Sequence, residues 1–362
     1  MEQTLNLNAF SRLLDFYPVA FSGNRLNLLL LEDAEPICDG KIYLRRLDSL
    51  PLMDERREYL LDERCFWPFP RIQLTCRPDP WTLSEALFSR FDKVQSILRT
   101  QGNIAEIIEH RVHERKPRAI ALIIADGLSY YDLPPNIEAE PVLVTGITST
   151  DFGYREIVGR PSISRRLFAL GYVHQQGFTY FDQRVNDLSR DVYASFAASQ
   201  ITRIRAFEEA LEAIRRAGVG PSYFQITMAG LDQLSHAHWD QPPREQYVER
   251  ILDNYEALAK ALQERFGRTL TILTADHGIL WREYVENKVQ IADELFADDV
   301  GSPRYVKGSL LRSYGKVVRC VGQDYTLLRV PFMTRRFRNN EWGVHGGISA
   351  WESIVPLMIR ED

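Results

Sequence analysis

The chain has 362 residues, of which 45% are hydrophobic and 26% charged, and its formal net charge is −5 at pH 7. This composition is typical of a globular protein, and the length allows a large core without help from disulfides. The acidic balance excludes a general attraction to nucleic acid or anionic membranes, so any contact with a polyanion must be local.

No segment has the features of a membrane span or a secretion signal. The longest unbroken apolar run, Ala119 to Ala125, is too short to cross a bilayer. The first ten residues lack the charged and apolar regions of a signal peptide. We therefore expect a cytoplasmic location and no membrane partner. The four cysteines form no CxxC pair, and we expect them to be reduced and structural.

Residues 1–115 have a mixed and partly irregular pattern, which we interpret as a small N-terminal accessory region. It contains an aromatic and proline cluster at Phe66 to Pro70. The pattern predicts three helices, which cover Asn8 to Phe16, Leu83 to about Leu98, and Ile104 to His113. A polar stretch then leads into Ala119, and we place a boundary there, so that residues 116–362 form the second domain.

From Ala119 onward, apolar strand patterns alternate with helical ones, which predicts an α/β fold with a mostly parallel central sheet flanked by helices. Strands are predicted at Ala119–Ala125, Pro141–Ile147, Tyr223–Met228, Thr269–Thr274, Val317–Val321 and Tyr325–Val330. Helices are predicted at Ser164–Leu170, Ile204–Ala217 and Gln246–Phe266, and a last helical turn begins near Ala350.

Residues that could bind metal follow the predicted strands. Asp126 follows the first strand, Thr148 the second, Asp232 the third, with His236 four residues on, and the pair Asp276-His277 follows the fourth. His345 lies later, in a Val-His-Gly-Gly segment. In open α/β sheets, ligands bind at the carboxyl ends of the strands. We therefore expect these side chains to lie close together.

These residue types suit phosphoryl transfer, which needs charge neutralised on the attacking, leaving and equatorial oxygens. Two metals can hold both ends of an in-line displacement, and zinc prefers histidine and carboxylate ligands. We expect zinc, with manganese as the alternative. One metal would be bound by Asp126, Asp276, His277 and the Thr148 oxygen, and the other by Asp232, His236 and His345.

A hydroxyl is the expected nucleophile, because coordination to a metal can activate it. Thr148 is the first choice, and attack by it would give a covalent phosphothreonine that water then hydrolyses. The spacing does not settle which hydroxyl acts, because Thr145, Ser149 and Thr150 lie beside it. Thr150 is the main alternative.

In residues 115 to 360 the order and type of these residues resemble the alkaline phosphatase superfamily. More narrowly, the segments Ala-Asp-Gly-Leu-Ser-Tyr-Tyr-Asp, Gly-Ile-Thr-Ser-Thr, Thr-Ala-Asp-His-Gly and Val-His-Gly-Gly-Ile-Ser-Ala-Trp-Glu-Ser-Ile-Val-Pro-Leu resemble PglZ domains. The resemblance implies an alkaline-phosphatase-like fold for residues 116–362, with a cap insertion at about 285–340. It also implies a metal-dependent phosphodiesterase, nuclease-like in substrate, with nucleotides, oligonucleotides or nucleic acid as substrates. BREX-type phage defence, with other defence-system proteins as partners, is the implied context.

Two other functions stay open at this point. The same chemistry would serve a phosphomonoesterase or a phosphonate hydrolase with a small substrate. A different class, a non-catalytic assembly module of a defence complex, would predict lost ligands, and none is lost here.

Substrate contacts are predicted just after the nucleophile segment and in the basic stretch Lys307 to Arg338. Tyr154 and Arg155 could bind a phosphate, and arginine is suited to doing so with two parallel hydrogen bonds. The basic stretch could hold a nucleic-acid backbone, although a solvated face is the commoner use of such charge.

Overall fold

A computed structural model gives the fold. It describes residues 5–6, 34–36, 41–44, 58–59, 79–159, 161–181, 192–236, 238–291, 302–308, 313–320 and 322–362. The predicted helix Asn8–Phe16 and the cluster Phe66–Pro70 lie outside the described residues. The chain divides into two compact units, Met1–Arg99 with Pro134–Glu140, and Thr100–Leu133 with Pro141–Asp362.

The first unit contains a small antiparallel sheet and two helices. Strand Lys41–Leu44 (β3) pairs with the other three described strands of this sheet. They are Leu5–Asn6 (β1), Ala34–Pro36 (β2) and Glu58–Tyr59 (β4). Where we predicted one helix from Leu83, there are two, Pro80–Ser89 (α1) and Phe91–Ile97 (α2). They are separated because Arg90 leaves the helical conformation, with φ −138° and ψ 37°.

A mostly parallel sheet is the centre of the fold, as predicted. Its strands are Arg99–Thr100 (β5), Ala119–Ala125 (β6), Glu140–Leu143 (β7), His174–Thr179 (β8), Ile201–Arg203 (β9), Ser222–Met228 (β10), Thr269–Ala275 (β11) and Ile354–Glu361 (β19). Their spatial order is β5-β7-β19-β11-β6-β10-β8-β9. Strand β6 pairs in parallel with β10 and β11, and β19 runs antiparallel to β11.

The register of the three central strands decides where the site forms. Ala125, the last residue of β6, pairs with Met228 on one side and Ala275 on the other. All three strands are buried along their whole length, as continuous apolar runs in a parallel sheet should be. Their carboxyl ends therefore lie side by side, and each leads into a loop that carries a polar residue.

Helices flank the sheet. They are Ile104–Arg115 (α3), Thr150–Val158 (α4), Ile163–Ala169 (α5), Phe207–Arg216 (α6), Asp232–Ser235 (α7), Arg244–Phe266 (α8), Arg282–Val285 (α9) and Ala350–Ser353 (α10). Helix α6 is strongly amphipathic, because its apolar residues recur three or four positions apart and are buried, as at Phe207, Ala210 and Ile214. Helix α8 packs against α6, β6 and β11.

Several elements of the second unit were not predicted or were predicted too long. Strand β7 ends at Leu143, four residues before the predicted end at Ile147. Strand β8 was missed because its sequence, His-Gln-Gln-Gly-Phe-Thr, is polar over its first half. Helix α4 and strand β19 were also missed, although the helical turn that we predicted near Ala350 is present as α10.

The region after His277 contains short strands, of which β13 and β17 pair in parallel and the others antiparallel. They are Leu280–Trp281 (β12), Gln290–Ile291 (β13), Tyr305–Lys307 (β14), Gly315–Cys320 (β15), Gln323–Leu328 (β16), Phe332–Met333 (β17) and Gly343–Val344 (β18). Strands β14, β16 and β15 form a small sheet within the predicted cap region, and β12 pairs with β18. In the described part of the chain, no helix is both long and apolar enough to cross a membrane.

Candidate metal centre

The predicted metal ligands converge at the carboxyl ends of the central strands. Asp126 follows β6 directly, Asp276 and His277 follow β11, and Asp232 opens helix α7 after β10. His345 follows β18, and the pairing of β18 with β12 returns the chain to the end of β11.

Asp126, Asp276 and His277 form the first group of ligands. Their ligand atoms lie within 4.8 Å of one another, and all three residues are buried. Two backbone N–H groups, of Gly127 and His277, donate to Asp276 Oδ1 at 3.0 and 2.9 Å. The other oxygen, Oδ2, is buried without a hydrogen-bond partner among the described residues, and His277 Nε2 lies 3.5 Å from it.

The second group overlaps the first instead of standing apart from it. Asp232, His277 and His345 also have ligand atoms within 4.8 Å of one another. The rings of His277 and His345 stack with their centroids 4.2 Å apart. Asp232 Oδ1 lies 3.3 Å from His345 Nε2 and 3.5 Å from His236 Nε2. The ligands that we predicted as two sets form one continuous cluster, with the half-exposed His236 at one end.

The electrostatics of the cluster suit bound cations. Burial, reinforced by the charges of Asp276 and Asp232, raises the pKa of Asp126 well above its ordinary value. Burial also raises the pKa of Asp276 to about 7. Burial lowers the pKa of His345 to about 4, which keeps its imidazole neutral and able to bind metal. Two buried carboxylates, Asp126 and Asp276, and the partly buried Asp232 lie close together, and among the described residues one oxygen each of Asp232 and Asp276 has no hydrogen-bond partner, an arrangement that fits divalent cations.

The hydroxyl of Thr150 lies against this cluster. Its Oγ1 donates to Asp126 Oδ1 at 3.3 Å and lies 3.2 Å from His277 Nε2. Thr150 is the first residue of helix α4, whose N-terminal amides favour negative charge. Gly153 lets this helix approach β11, because a Cβ there would lie 1.9 Å from the carbonyl oxygen of Asp276.

The hydroxyl of Thr148 has different neighbours. It donates to the carbonyl oxygen of Gly347 at 3.0 Å and accepts from the N–H of Gly346 at 2.9 Å, and it is completely buried. Both partners belong to the loop that carries His345. The structure therefore brings Thr150 to the predicted ligands and places the Thr148 hydroxyl in the support of that loop, against our first choice of nucleophile.

A buried ion pair holds the same loop from its other side. Arg304 and Glu352 are both completely buried, with Arg304 Nη2 2.8 Å from Glu352 Oε2. Glu352 Oε1 also accepts from the N–H of Gly347 at 2.9 Å, and Ser349 Oγ donates to Oε2 at 2.6 Å. Glu352 belongs to the segment that carries the PglZ resemblance, but this role for it could not be seen in the sequence.

Tyr180 is a site residue that the sequence analysis missed. Its hydroxyl donates to Asp126 Oδ2, and burial together with the Asp126 charge raises the pKa of the phenol well above its ordinary value. Tyr180 follows strand β8 directly. The rule that located the other residues, a polar residue after a strand, would have found it if β8 had been predicted.

The predicted substrate contacts have mixed outcomes. Tyr154 is completely buried, and its hydroxyl donates to the carbonyl oxygen of Ile124 at 3.2 Å. It therefore packs in the core and does not face a substrate, contrary to the prediction. Arg155 is half-buried on helix α4. In the basic stretch, Arg335 is held by both oxygens of Glu341, at 2.7 and 2.8 Å, which leaves less free charge there than predicted.

Several solved structures are similar to part of this chain. An inactive form of murine ectonucleotide pyrophosphatase / phosphodiesterase 5, in complex with AMP, is 12% identical, covers 66% of this chain and 87% of its own, and has a TM-score of 0.43. Phosphonoacetate hydrolase from Sinorhizobium meliloti, in complex with phosphonoformate, is 13% identical, with 67% and 90% covered and a TM-score of 0.44. An alkaline phosphatase superfamily protein from Vibrio parahaemolyticus is 11% identical, with 61% and 62% covered and a TM-score of 0.34.

No curated protein matches the chain. The model of the type I phosphodiesterase / nucleotide pyrophosphatase family matches residues 146–326, which is half of the sequence. The matched part contains Thr150, Asp232, His236, Asp276 and His277. The chain therefore belongs to the type I phosphodiesterase / nucleotide pyrophosphatase family of the alkaline phosphatase superfamily, and it is a phosphoric ester hydrolase.

Proposed function

We propose that this protein is a metal-dependent phosphodiesterase that cleaves nucleotide-type phosphodiester or pyrophosphate bonds with Thr150 as its nucleophile. The observation that carries the proposal is the position of Thr150 Oγ1, which lies 3.3 Å from Asp126 Oδ1 and 3.2 Å from His277 Nε2. The proposal therefore replaces Thr148, our first choice of nucleophile, with Thr150.

Two divalent cations would be held by the cluster. Asp126, Asp276, His277 and the Thr150 oxygen would bind one, and Asp232, His236 and His345 the other. Mixed histidine and carboxylate ligands favour zinc, and manganese remains the alternative. When bound, such cations neutralise charge on the phosphoryl oxygens and favour the ionised hydroxyl.

The chain's own groups orient the reaction. The hydrogen bond from Thr150 to Asp126 fixes the hydroxyl, and the start of helix α4 offers backbone N–H groups to the phosphoryl oxygens. Attack by Oγ1 forms a bond to phosphorus as the leaving oxygen departs, which leaves Thr150 joined through phosphate to the retained part of the substrate. Water then displaces Thr150, and two in-line displacements retain the configuration at phosphorus.

Hydrolysis of nitrophenyl esters tests this function. Metal-loaded protein should hydrolyse bis(4-nitrophenyl) phosphate faster than 4-nitrophenyl phosphate, and a chiral phosphorothioate diester should react with retention. Faster monoester turnover by orders of magnitude would establish the phosphomonoesterase alternative instead. Turnover of a phosphonate alone would establish a phosphonate hydrolase.

A non-catalytic assembly module is the alternative of another class. Against it stands the presence of all the predicted ligands, with a buried carboxylate oxygen of Asp276 that lacks a hydrogen-bond partner in the described part of the chain. Purified protein that binds no divalent metal at Asp276 would favour the assembly role.

The narrower features of the proposal rest on the motif resemblance to PglZ domains. They are a cytoplasmic enzyme of a BREX-type phage-defence system, oligonucleotide or nucleic-acid substrates, and defence-system protein partners. Residues 1–115 would be an accessory region, and residues 116–362 a catalytic domain with a cap at about 285–340. Phage plating on cells that carry the wild-type system or its Asp276→Ala form tests the defence role, and equal protection by both would exclude one that needs catalysis.

A further inference from the structure

A cleft opens at the His236 end of the metal cluster. It has a volume of about 620 Å³, within the usual range for pockets that bind organic ligands. Tyr180 and His236, which contact the carboxylates Asp126 and Asp232, line its inner end. The cleft is therefore continuous with the reaction centre.

The cleft is lined by His236, which stands at the end of a row of three histidines that begins beside Thr150. Thr150 contacts Asp126 and His277 at one end of the cluster. His345 stacks on His277 with centroids 4.2 Å apart, and His236 follows with its centroid 6.0 Å from that of His345. In an in-line displacement the leaving oxygen lies opposite the attacking one. A group that Thr150 expels along this row of histidines would enter the cleft.

The outer wall of the cleft combines cations with an aromatic ring. Tyr247, Arg250 and Asn254 are three or four residues apart on helix α8, so they share one face of it, and all line the cleft. The Arg250 guanidinium lies 5.0 Å from the centre of the Tyr247 ring. Arg205, which lies just before α6, also lines the cleft, as does the acidic Glu208.

This chemistry identifies the class of leaving group. Arginine pairs bind phosphate through parallel charge-assisted hydrogen bonds, aromatic rings stack with bases, and a side-chain amide can hydrogen-bond to a base edge. An uncharged alcohol or a nitrophenol would use neither arginine.

We propose that this cleft binds the leaving portion of the substrate, and that this portion is a nucleoside carrying a further phosphate, which Arg205 and Arg250 hold. The proposal deepens the proposed function and rests on it. The enzyme would accordingly cleave bonds within a nucleotide chain in preference to simple diesters.

Calorimetric binding to full-length, metal-loaded protein tests the proposal, with adenosine 3′,5′-bisphosphate, 3′-AMP and 5′-AMP as probes. The quantity of interest is the affinity for the bisphosphate divided by the affinity for whichever monophosphate binds more tightly. One phosphate bound at the metals contributes equally to both affinities, so this ratio measures the effect of the second phosphate alone. We expect the second phosphate to improve affinity about tenfold in the wild type, as charge-assisted hydrogen bonds would.

Arg250→Ala should remove most of that advantage, and Arg205→Ala should reduce it. Arg215→Ala is the matched control, because Arg215 is an exposed arginine in the last turn of α6 that does not line the cleft. Tyr247→Ala should weaken all three nucleotides but leave the ratio unchanged. An equal ratio in wild type and Arg250→Ala would overturn the proposal. Because binding is measured, a failure of the proposed hydrolytic function would show separately, as absent turnover with an intact ratio.

Discussion

The backbone carbonyl oxygen of Thr148 lies 2.9 Å from Nδ1 of His345. A carbonyl can only accept, so Nδ1 carries the proton and Nε2 is left with a free lone pair. That Nε2 lies 3.3 Å from Asp232 Oδ1, inside the cluster. His277 follows the same pattern, with Nδ1 3.0 Å from the carbonyl oxygen of Gly278. Backbone carbonyls thus orient both rings for metal binding, as supporting partners of histidine ligands commonly do.

Thr148→Val should weaken metal binding without removing the nucleophile. Valine keeps the carbonyl contact to His345 but loses both hydroxyl hydrogen bonds, which leaves the N–H of Gly346 and the carbonyl of Gly347 unpaired. We expect zinc affinity to fall about 10- to 100-fold, in line with the loss of other supporting partners. Competition with a chromogenic chelator measures this. Unchanged affinity would mean that Thr148 does not support the His345 loop.

Thr150→Ala should abolish turnover and leave the metals in place. Loss of the attacking oxygen should lower kcat at least about 10³-fold, while Thr150→Ser should retain part of it. Mass spectrometry of acid-quenched wild type should find on Thr150 a phosphoryl group that still carries the retained part of the substrate. A phosphoryl adduct on Thr148, or a Thr150→Ala variant with wild-type kcat, would contradict this prediction and favour Thr148 as the nucleophile.

The sequence indicated the candidate ligands more readily than the proposed nucleophile, for a physical reason. Buried parallel strands are continuous apolar runs, so the ends of β6, β10 and β11 are visible, and the ligands lie just after them. Thr150 lies at the start of an unpredicted helix, and neither periodicity nor spacing decides which of several neighbouring hydroxyls faces the site. Tyr180 was missed because β8 lacks an apolar run.

The buried pair of Arg304 and Glu352 was beyond sequence reasoning for a different reason. Charged side chains are normally exposed, and two residues 48 positions apart reveal no pairing by their spacing. By contrast, the mostly parallel sheet could be predicted, because alternating strand and helix patterns leave few other architectures.

Asp276→Ala should remove metal from the protein while the fold persists. Asp276 is a buried carboxylate with an orphaned Oδ2, so its loss deletes a proposed ligand and relieves repulsion with Asp126. We expect metal content, measured by plasma mass spectrometry, to fall and turnover to be lost, with circular dichroism unchanged. Asp253→Ala, which removes an exposed carboxylate from helix α8, should keep wild-type metal content. Full metal content and activity in Asp276→Ala would refute the site.

Glu352→Gln should destabilise the fold strongly. It leaves the completely buried Arg304 guanidinium without a counter-charge, which typically costs about 3–5 kcal/mol. Urea unfolding measures the loss. Glu212→Gln is the matched control, because Glu212 pairs with Arg216 on the exposed face of α6, and such a pair contributes at most about 1 kcal/mol. Equal effects of the two changes would show that burial does not set the strength of the Arg304 pair.

Asp132→Asn should change the pH dependence of stability. Burial raises the pKa of Asp132 from 3.8 to about 6, although Arg244 acts against it. The folded state therefore binds this proton more tightly than the unfolded chain does. The resulting stabilisation is complete below pH 3.8 and is lost as the pH rises through about 6. In the wild type, Trp281 Nε1 donates a hydrogen bond to Asp132 Oδ1 at 2.9 Å. Asparagine cannot ionise, but its side-chain oxygen can still accept this hydrogen bond.

Relative to wild type, Asp132→Asn should gain roughly 2.4 kcal/mol of unfolding free energy between pH 4 and pH 7.5. Urea titrations at several pH values measure this difference. Asp253→Asn, a surface change, should differ from wild type by less than about 0.5 kcal/mol throughout. A constant difference between Asp132→Asn and wild type across this range would mean that the carboxyl titrates alike in the folded and unfolded chains, and that Arg244 fully offsets its burial.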